Sequence, residues 1–420
     1  MKAVCFSNLY YPHEVGGAEM SMRLLCAALA ARGHSVTVLS VAPDGVPGRR
    51  TVDGVEVRTV QPGPTPWPFV ARGRSTVEKA LFHLVDAFNP VIEARLERAF
   101  ADLDPDVVLC GNLLGMSSAP WRIAHRRGVP VLHYLHDYQL LCPKGMIGRN
   151  GPCERRCGPC RAACATKKSA SRIPDTVLAN SDYVLKRHLD EGYFGRARIS
   201  AILPPSYDGP MRAQPRTPAA GGPLVLGYLG RINPEKGLAR LLETLQRGDA
   251  PDWRLKVAGT FKSEAYRREL APLLADPRVE YLGHVVPDAL LGAIDVAVLP
   301  SLWPEPFGRT ICEAYAFGVP VIGSCRGGIP ENIAHGVTGF IYDPDRPETL
   351  TAALRQAAAG PEVYAALSRA CLERARSYRT DLLADRFEAL LHRTIAEGRP
   401  DSAEAPAPQE PDARPRARSL

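Results

Sequence analysis

Short apolar segments alternate with helical patterns along most of this 420-residue chain, and the alternation runs through two rounds. In the first half, the predicted strands are at 4–7, 35–40, 55–60, 107–110, 129–135 and 176–179. The second half repeats the pattern at 224–229, 254–258, 279–282, 296–299, 319–323 and 339–342. Strands separated by helices form parallel sheets that are covered on both faces. The sequence therefore predicts an α/β protein with two doubly wound, Rossmann-like domains and a cleft between them.

A stretch rich in Pro, Gly and Ala separates the two rounds and predicts the domain boundary. We expect an N-terminal domain over 1–207, a linker over 208–222 and a C-terminal domain over 223–379. The amphipathic pattern over 380–397 predicts a further helix. The last segment, 398–420, contains five prolines and mixed charges but almost no apolar side chains. Such a segment cannot bury enough surface to fold, so we expect it to be disordered.

The composition narrows the function classes. Hydrophobic residues make up 45% of the chain and charged residues 23%, which fits a folded globular protein. No apolar run is long enough to span a bilayer, and the first residues do not have the pattern of a signal peptide. We therefore expect a cytoplasmic protein. The net charge of +7 suits phosphate ligands or peripheral contact with an acidic inner membrane face. No nucleic-acid-binding motif is present, so we expect no nucleic-acid partner.

The most informative segment is 303–314, which reads W-P-E-P-F-G-R-T-I-C-E-A and follows an apolar run. The prolines on either side of Glu305 keep it out of a helix, at the carboxyl end of the preceding strand. Glu313 lies on the same side of the unit, in the helix that follows. Ligands of open α/β sheets bind at this edge. Two carboxylates there can hold hydroxyl groups, while backbone N–H groups near Gly308 face an anion.

This E-x7-E spacing in a Pro-Glu-Pro-Phe-Gly context resembles the signature of the retaining family-4 glycosyltransferases, the group 1 glycosyl transferases. The resemblance covers about 1–395 and is strongest over 227–331. It implies the GT-B fold, with the last helix crossing back to the first domain. It also implies a retaining, hexosyltransferase-type enzyme that moves a sugar from a nucleoside diphosphate sugar, most often a UDP- or GDP-sugar, to a hydroxyl acceptor. The acceptor classes are glycans, glycolipids and natural products.

In the second domain, residues 230–237 read G-R-I-N-P-E-K-G. Arg231 and Lys236 lie at a strand end and a helix start, where two cations can neutralise a diphosphate. The segment resembles the family's G-R-x-x-x-E-K-G donor motif. The resemblance further implies that Glu305 and the Phe307–Gly308 backbone hold the sugar, and that Glu313 holds the ribose hydroxyl groups. It also implies that the loop ending at Val285 meets the base.

The segment 327–331 reads G-G-I-P-E and resembles the family's GG-x-P-E turn. Its last residue, Glu331, could equally cap a helix.

The first domain contributes two candidate loops. Gly16 and Gly17 follow the first strand and let the chain approach a ligand closely. They resemble the family's P-x-x-GG-x-E loop, which implies contact with the donor phosphates, with Glu19 as a helix cap; a tight turn without a ligand is the alternative. His136, followed by Asp137, ends a strand and resembles the histidine that the family places against the donor sugar. We expect His133 to be packed within the sheet.

Five cysteines cluster in a Gly-, Pro- and Arg-rich insert at 142–164. Four of them, Cys142, Cys153, Cys157 and Cys160, include a C-x-x-C spacing and can supply four thiolates. We expect a structural Zn²⁺, with an iron–sulfur cluster as the alternative for the same ligands. Disulfides and free thiols are the remaining options. The other six cysteines are expected in the core.

Three further patterns leave alternatives open. The aromatic and basic segment 65–89 predicts either acceptor or membrane contact, or ordinary packing. The Asp-x-Asp strings at 102–104 and 343–345 lie in turn contexts, and Arg231 and Lys236 serve the diphosphate, so we expect no catalytic metal.

Two other functions remain possible for this chain: a sugar-nucleotide epimerase on the same fold, and a non-catalytic partner subunit.

Overall fold

The computed structural model describes residues 1–13, 16–63, 76–148, 151–216 and 222–398. Its first half contains ten strands. In chain order they are β1 (Lys2–Phe6), β2 (Ser35–Val41), β3 (Gly48–Val52), β4 (Val55–Val60), β5 (Val107–Cys110), β6 (Val131–Leu135), β7 (Ile147–Gly148), β8 (Gly151–Pro152), β9 (Thr176–Ala179) and β10 (Ile199–Ile202). Eight of them form one sheet in the order β10-β9-β6-β5-β1-β2-β4-β3, and β7 and β8 form a separate antiparallel ribbon.

The helices of the first half cover both faces of this sheet. They are α1 (Gly17–Ala31), α2 (Thr76–Ala87), α3 (Pro90–Phe100), α4 (Ala119–Arg126), α5 (Gly158–Ala163), α6 (Ala165–Ala170) and α7 (Asp182–Asp190). Local sequence fixes some of their starts. The side chain of Asn89 accepts a hydrogen bond from the backbone N–H of Ile92, and the Ser181 hydroxyl accepts one from Val184. These caps satisfy N–H groups that a helix leaves free at its first turn.

The second sheet consists of β11 (Leu224–Leu229), β12 (Trp253–Ala258), β13 (Val279–Gly283), β14 (Val296–Leu299), β15 (Val321–Ser324) and β16 (Gly339–Tyr342). All of its neighbouring strands are parallel, in the order β13-β12-β11-β14-β15-β16. Its helices are α8 (Leu238–Gln246), α9 (Glu264–Leu274), α10 (Pro287–Leu291), α11 (Thr310–Ala316), α12 (Ile329–Asn332), α13 (Pro347–Ala357) and α14 (Pro361–Arg376). The prediction of two doubly wound sheets is therefore confirmed.

The last described helix, α15 (Thr380–Gly398), follows the second domain in sequence but packs on the first. Its buried side chains Leu383, Phe387 and Leu391 lie in the same apolar cluster as Leu25 and Leu29 of α1. Replacing one buried Phe or Leu with Ala typically lowers the free energy of unfolding by about 2–5 kcal/mol. The packing of these side chains therefore attaches the end of the described chain firmly to the first domain.

Both sheets place a topological switch point at the cleft. In the first sheet the chain order reverses between β1 and β5, and in the second between β11 and β14. Loops that leave the carboxyl ends of strands at such points form the ligand crevice of doubly wound proteins. The loop after β1 leads to Gly16, and the loop after β14 leads to Glu305.

Some sequence expectations differ from the structure or fall outside it. The edge strand β3 was not predicted, because its exposed residues show no apolar alternation, and it is the strand of its sheet that pairs antiparallel. The tail after Gly398, residues 65–75 of the aromatic and basic segment 65–89, and residues 217–221 of the expected linker lie outside the described residues. The rest of the segment 65–89 contains α2. Among the helices that are described, none is both long and apolar enough to cross a membrane.

Candidate functional site

A cleft of about 490 Å³ opens between the two domains. This volume lies within the range of about 300–1,000 Å³ that is usual for small-molecule sites. Side chains and backbone from both domains line it. Those that the sequence singles out are Gly16, Gly17, His136, Arg231, Lys236, Glu305, Phe307 and Gly308. The structure therefore brings most of the candidate residues together, although they come from four separate loops.

Two cations enter the cleft from the second domain. Arg231 follows β11, and its backbone carbonyl accepts a hydrogen bond from the Tyr228 hydroxyl at 2.8 Å. Its exposed guanidinium has no carboxylate partner within the described residues. Lys236 lies in a short 3-10 turn, Pro234–Lys236, with its ammonium 5.4 Å from the centre of the Trp303 ring. The turn fits here because Gly237 has φ of 75° and a side chain at that position would collide with the backbone of Pro300.

The carboxylate of Glu305 forms an ion pair with Lys236 and accepts a hydrogen bond from the Ser301 hydroxyl at 2.8 Å. The sequence predicts separate tasks for the two charged residues, a sugar contact for Glu305 and a diphosphate contact for Lys236. In the structure they are partners, because the 3-10 turn brings the ammonium directly onto the loop after β14. An ion pair of this kind also fixes the direction of both side chains.

A glycine turn supports the Glu305 loop from behind. The backbone N–H of Gly328 donates to the carbonyl oxygen of Glu305 at 2.7 Å. Gly327 has φ of 64°, and a side chain on it would collide with the Glu305 backbone. Any residue larger than glycine would therefore have to displace the loop that carries the carboxylate.

The same loop contacts the first domain. The indole N–H of Trp303 donates to the carbonyl oxygen of Gly145, and the Tyr138 hydroxyl donates to that of Pro304, each at 2.8 Å. The two aromatic rings pack edge to face, with centroids 5.5 Å apart. Sequence reasoning missed these contacts. The available signal was a Trp beside the motif, since a buried indole N–H usually finds an acceptor.

His136 directly follows β6 and is only 8% exposed. Its ring lies 3.9 Å from that of Tyr134, centre to centre, and its Nε2 atom has no hydrogen-bond partner among the described residues. Burial lowers the pKa of His136 to about 3, so the imidazole is neutral at ordinary pH. A neutral, unpaired ring nitrogen at the cleft can exchange a hydrogen bond with a ligand hydroxyl.

Asp137 also lines the cleft. Its carboxylate accepts hydrogen bonds from the backbone N–H of Gln139 at 2.8 Å and from the side-chain amide of Asn112 at 3.3 Å. Burial raises the pKa of Asp137 to about 6, although the Gln139 N–H opposes this shift. His133, three residues before His136, packs against the Trp121 and Phe194 rings and belongs to the core.

The glycine loop of the first domain meets an arginine of the second. Gly16 caps α1, and a side chain on Gly17 would come within 3.1 Å of the Arg309 side chain. Arg309 also pairs with Glu313 at 3.1 Å. Glu19 lies in the first turn of α1.

Glu313 and Val285 do not belong to the residues that line the cleft. The carboxylate of Glu313 is largely buried and turned toward Arg309. Burial raises the pKa of Glu313, and the neighbouring guanidinium opposes that rise. Val285 is half-buried in the loop after β13 and packs against the core of the second domain. Their proposed contacts with ribose and base therefore remain predictions.

Glu331 connects the domains at another point. Its carboxylate accepts hydrogen bonds from the backbone N–H groups of Asp182 and Tyr183, each at 2.7 Å. These are first-turn N–H groups of α7, so a residue of the second domain caps a helix of the first. Burial raises the pKa of Glu331, while the two N–H groups oppose the shift.

The two Asp-x-Asp strings are engaged elsewhere. Asp102 pairs with Arg58 at 2.6 Å, and Asp343 and Asp345 both pair with Arg326. Neither string belongs to the lining of the cleft.

The cysteine-rich insert lies next to the cleft. All eleven cysteines are free thiols, so the structure contains no disulfide between them. The Sγ atoms of Cys142 and Cys160 are 3.2 Å apart. Within the described part of the chain, no three His, Cys, Asp or Glu side chains are already arranged to hold a metal ion.

Family models match both halves of the chain. Residues 16–205 match the glycosyl transferase 4-like domain, and residues 212–374 match the glycosyl transferases group 1 domain. The two matched segments lie on either side of the cleft and together include Gly16, His136, Arg231, Lys236 and Glu305.

Similar proteins cover nearly the whole chain. An uncharacterized 42.6 kDa protein in the cps region of Klebsiella pneumoniae is 30% identical over 333 residues, 79% of this chain and 87% of that protein. Glycogen synthase of Mycobacterium tuberculosis is 28% identical over 402 residues, 90% of this chain and 91% of that enzyme. Among solved structures, Anabaena Alr3699/HepE in complex with UDP and glucose has a TM-score of 0.69 at 19% identity, covering 94% of this chain and all of that one.

Proposed function

Because this chain belongs to the group 1, family-4 glycosyltransferases and has their GT-B fold, we propose that it is a retaining, hexosyltransferase-type enzyme. It transfers a sugar from a nucleoside diphosphate sugar to a hydroxyl group of an acceptor. The observation that carries this proposal is the meeting of Arg231 and Lys236 with His136 in one interdomain cleft.

Arg231 and Lys236 bind the donor diphosphate in this proposal. A guanidinium offers paired N–H donors and an ammonium a compact charge, and together they offset the negative charge that grows on the leaving group. The support is that Arg231 has no carboxylate partner in the described structure, while Lys236 can share its charge between Glu305 and a phosphate oxygen. Gly16 and Gly17 complete the donor side from the first domain, where close backbone approach is required.

The transferred sugar lies between the two domains. Glu305 and the Phe307–Gly308 backbone hold its hydroxyl groups from the second domain, and His136 holds one from the first. The unpaired Nε2 atom of His136 supports this assignment, because a buried polar atom without a partner is costly unless a ligand supplies one. Glu313 holds the ribose hydroxyl groups, and the loop at Val285 meets the base.

The acceptor hydroxyl attacks from the face that the diphosphate leaves. The departing phosphate oxygen takes the proton of the acceptor, the new glycosidic bond forms where the old one breaks, and the anomeric configuration is kept. No covalent enzyme intermediate and no catalytic metal are needed, because Arg231 and Lys236 supply the positive charge. Contacts between the domains exclude water from the reacting centre and limit hydrolysis.

A UDP-sugar is the first donor to test. One solved structure of the same fold contains UDP and glucose, and the cationic Arg231 and Lys236 of this cleft suit a diphosphate. The acceptor belongs to a glycan, a glycolipid or a natural product. The place of the K. pneumoniae relative in a cps region supports polysaccharide assembly as the first pathway class to examine.

The test does not require a known acceptor, because the slow hydrolysis that remains when water is incompletely excluded releases the sugar from the donor. Proton NMR follows a UDP-α-sugar incubated with the full chain, and records the first-formed free sugar before it mutarotates. We expect UDP and the unchanged sugar as its α-anomer, at a rate that Arg231→Ala strongly reduces. If the free sugar that appears first is the β-anomer, the reaction inverts the anomeric configuration, which would contradict a retaining enzyme.

The same spectra separate the two alternatives. An epimerase would produce a sugar of altered configuration, either free or still linked to the nucleotide. A non-catalytic partner subunit would leave every donor intact while the folded chain persists. Either result would overturn the proposed transfer.

A further inference from the structure

Two thiols of the cysteine-rich insert contact each other although they are 18 residues apart in sequence. The sulfur atoms of Cys142 and Cys160 lie 3.2 Å apart. Cys153 and Cys160 pack against the apolar cluster that contains Cys142, and Cys157 is the N-cap residue of α5, three residues before Cys160. The four cysteines therefore lie in one small region of the first domain. The fifth thiol of the insert, Cys164, faces the carbonyl oxygen of Gln139 at 4.0 Å instead.

The insert has little else to hold it together. Its described regular elements are the two-residue strands β7 and β8 and the six-residue helix α5, and the equally short α6 follows it in sequence. The guanidinium of Arg156 ties it to the domain by donating to the carbonyl oxygen of Leu141 at 2.7 Å and by pairing with Glu191 at 3.2 Å. Segments this short do not bury enough apolar surface to be stable alone.

The insert that contains the thiols carries a strong positive charge. Between residues 142 and 172 the chain has eight Lys and Arg residues and one acidic residue, Glu154. Cationic side chains near a cysteine stabilise its thiolate, which is the form that binds metals. Four thiolates on one divalent cation leave a net negative centre, and the surrounding cations offset it.

We propose that Cys142, Cys153, Cys157 and Cys160 bind one Zn²⁺ in tetrahedral geometry. Zinc–sulfur bonds are about 2.3 Å long, so two sulfurs on one Zn²⁺ are about 3.8 Å apart. As thiols, Cys142 and Cys160 lie closer than this. Zn²⁺ binding would therefore move these two sulfurs about half an ångström further apart and bring the Cys153 and Cys157 thiols toward the same point.

The metal would hold the surface on which the donor loop rests. Cys142 begins a turn in which the backbone N–H of Gly145 donates to its carbonyl oxygen at 2.9 Å. The carbonyl oxygen of Gly145 in turn accepts a hydrogen bond from the indole N–H of Trp303. The backbone N–H of Cys142 also donates to Tyr138, which contacts Pro304. A metal ion that holds Cys142 in place would therefore also hold the two groups that bond to the Trp303–Glu305 loop. These are the Gly145 carbonyl, which accepts from Trp303, and the Tyr138 hydroxyl, which donates to Pro304.

Metal analysis of the full chain, purified with a thiol reductant and without a polyhistidine tag, tests the proposal. We expect about one zinc ion per chain by inductively coupled plasma mass spectrometry. Cys157→Ser and Cys153→Ser each lower the zinc content by at least about tenfold, because the site loses a thiolate. The matched control is Cys325→Ser, an exposed thiol after β15, which leaves it unchanged.

Cobalt replaces zinc in a second measurement that does not depend on variants folding. Co²⁺ bound by four thiolates gives intense visible bands and a thiolate-to-metal charge-transfer band, and added Zn²⁺ removes both. Wild-type protein that contains neither zinc nor iron, and that gives no such bands with Co²⁺, would overturn the proposal. Iron with an equal amount of acid-labile sulfide would also overturn it, in favour of an iron–sulfur cluster.

The effect on the donor loop rests on the proposed function and has its own readout. Zinc removal by a chelator is expected to raise the Kd for UDP several-fold while the protein stays folded by circular dichroism. A zinc-containing protein that binds no nucleotide would contradict the proposed function and leave the metal site established.

Discussion

The indole Nε1 of Trp303 donates a hydrogen bond to the carbonyl oxygen of Gly145 at 2.8 Å, across the boundary between the two domains. Trp303 stands two residues before Glu305, and its ring lies 5.4 Å from the Lys236 ammonium. The first domain thus helps to position the charged pair of the second. This relationship suggests that donor affinity depends on residues that do not touch the donor.

We expect Trp303→Phe to weaken donor binding. The variant keeps an aromatic ring, although a smaller one, and loses one part-buried hydrogen bond, worth about 1 kcal/mol, so Kd for the nucleotide rises about fivefold. Titration calorimetry measures this change. Trp253→Phe is the matched control: it also loses a buried indole hydrogen bond, to Leu245 at 3.2 Å, but lies in the core of the second domain. Equal affinities for the two variants would contradict the role of Trp303.

Arg231→Ala tests the diphosphate contact. Loss of a preorganised charge lowers kcat/KM by about two to three powers of ten. We expect Lys236→Ala to have a similar effect and also to free the Glu305 carboxylate from its ion pair. Arg268→Ala, at an exposed position of α9, serves as the control and keeps wild-type rates. Wild-type turnover by Arg231→Ala would remove the basis of the donor assignment.

Glu331→Gln tests the contact between the domains at α7. The carboxylate accepts two backbone hydrogen bonds, and the amide of glutamine would turn a donor toward one of those N–H groups. A charge-assisted pair of this kind is worth about 1–3 kcal/mol, so Tm falls by several degrees. Glu348→Gln provides the comparison, because that exposed carboxylate pairs only with the exposed Arg346. The interpretation fails if both variants unfold at the wild-type temperature.

Asp137, which is half-buried at the cleft, predicts a pH dependence of stability. Its pKa is raised from 3.8 to about 6, so its contribution is fully present below pH 3.8 and is lost as pH rises through 6. Asp137→Asn does not undergo this loss. The Tm of the variant should therefore gain on that of the wild type as pH rises from about 4 to about 6, and the gain should level off above about pH 7.

Thermal unfolding of both proteins across this range measures the difference. Asp208→Asn, at an exposed position, is the control and should follow the wild type at every pH. A Tm difference between Asp137→Asn and the wild type that does not change with pH would show that the carboxyl is not buried as the structure indicates.

The sequence predicts those strands and loops that are marked by a pattern of neighbouring residues. Apolar runs mark the buried strands, and the glycines and charges that follow them mark the cleft loops at Gly16, Arg231 and Glu305. Strand β3 gives no such signal, because four of its five residues are charged, polar or glycine and it lies at an exposed edge. A period-2 apolar pattern appears only where one face of a strand is buried.

Contacts between the domains could not be predicted from the sequence. The partners of Trp303 and Glu331 lie about 150 residues earlier in the chain, and their meeting depends on how the two domains dock. The pairing of Lys236 with Glu305 is a similar case. Each residue carries a clear donor-site signal, but the distance between them follows from the turn at Gly237 and not from spacing.

Thermal stability against UDP, GDP, ADP and dTDP and their common sugar conjugates tests the central claim most directly, on wild-type protein and Arg231→Ala. A ligand that binds only the native state raises its stability by RT ln(1 + [L]/Kd), about 2.7 kcal/mol at a hundredfold excess over Kd. We predict that one nucleotide and its conjugates raise Tm selectively, and that Arg231→Ala abolishes the shift. No shift with any of them at about millimolar concentration would contradict a nucleotide-sugar site in this cleft.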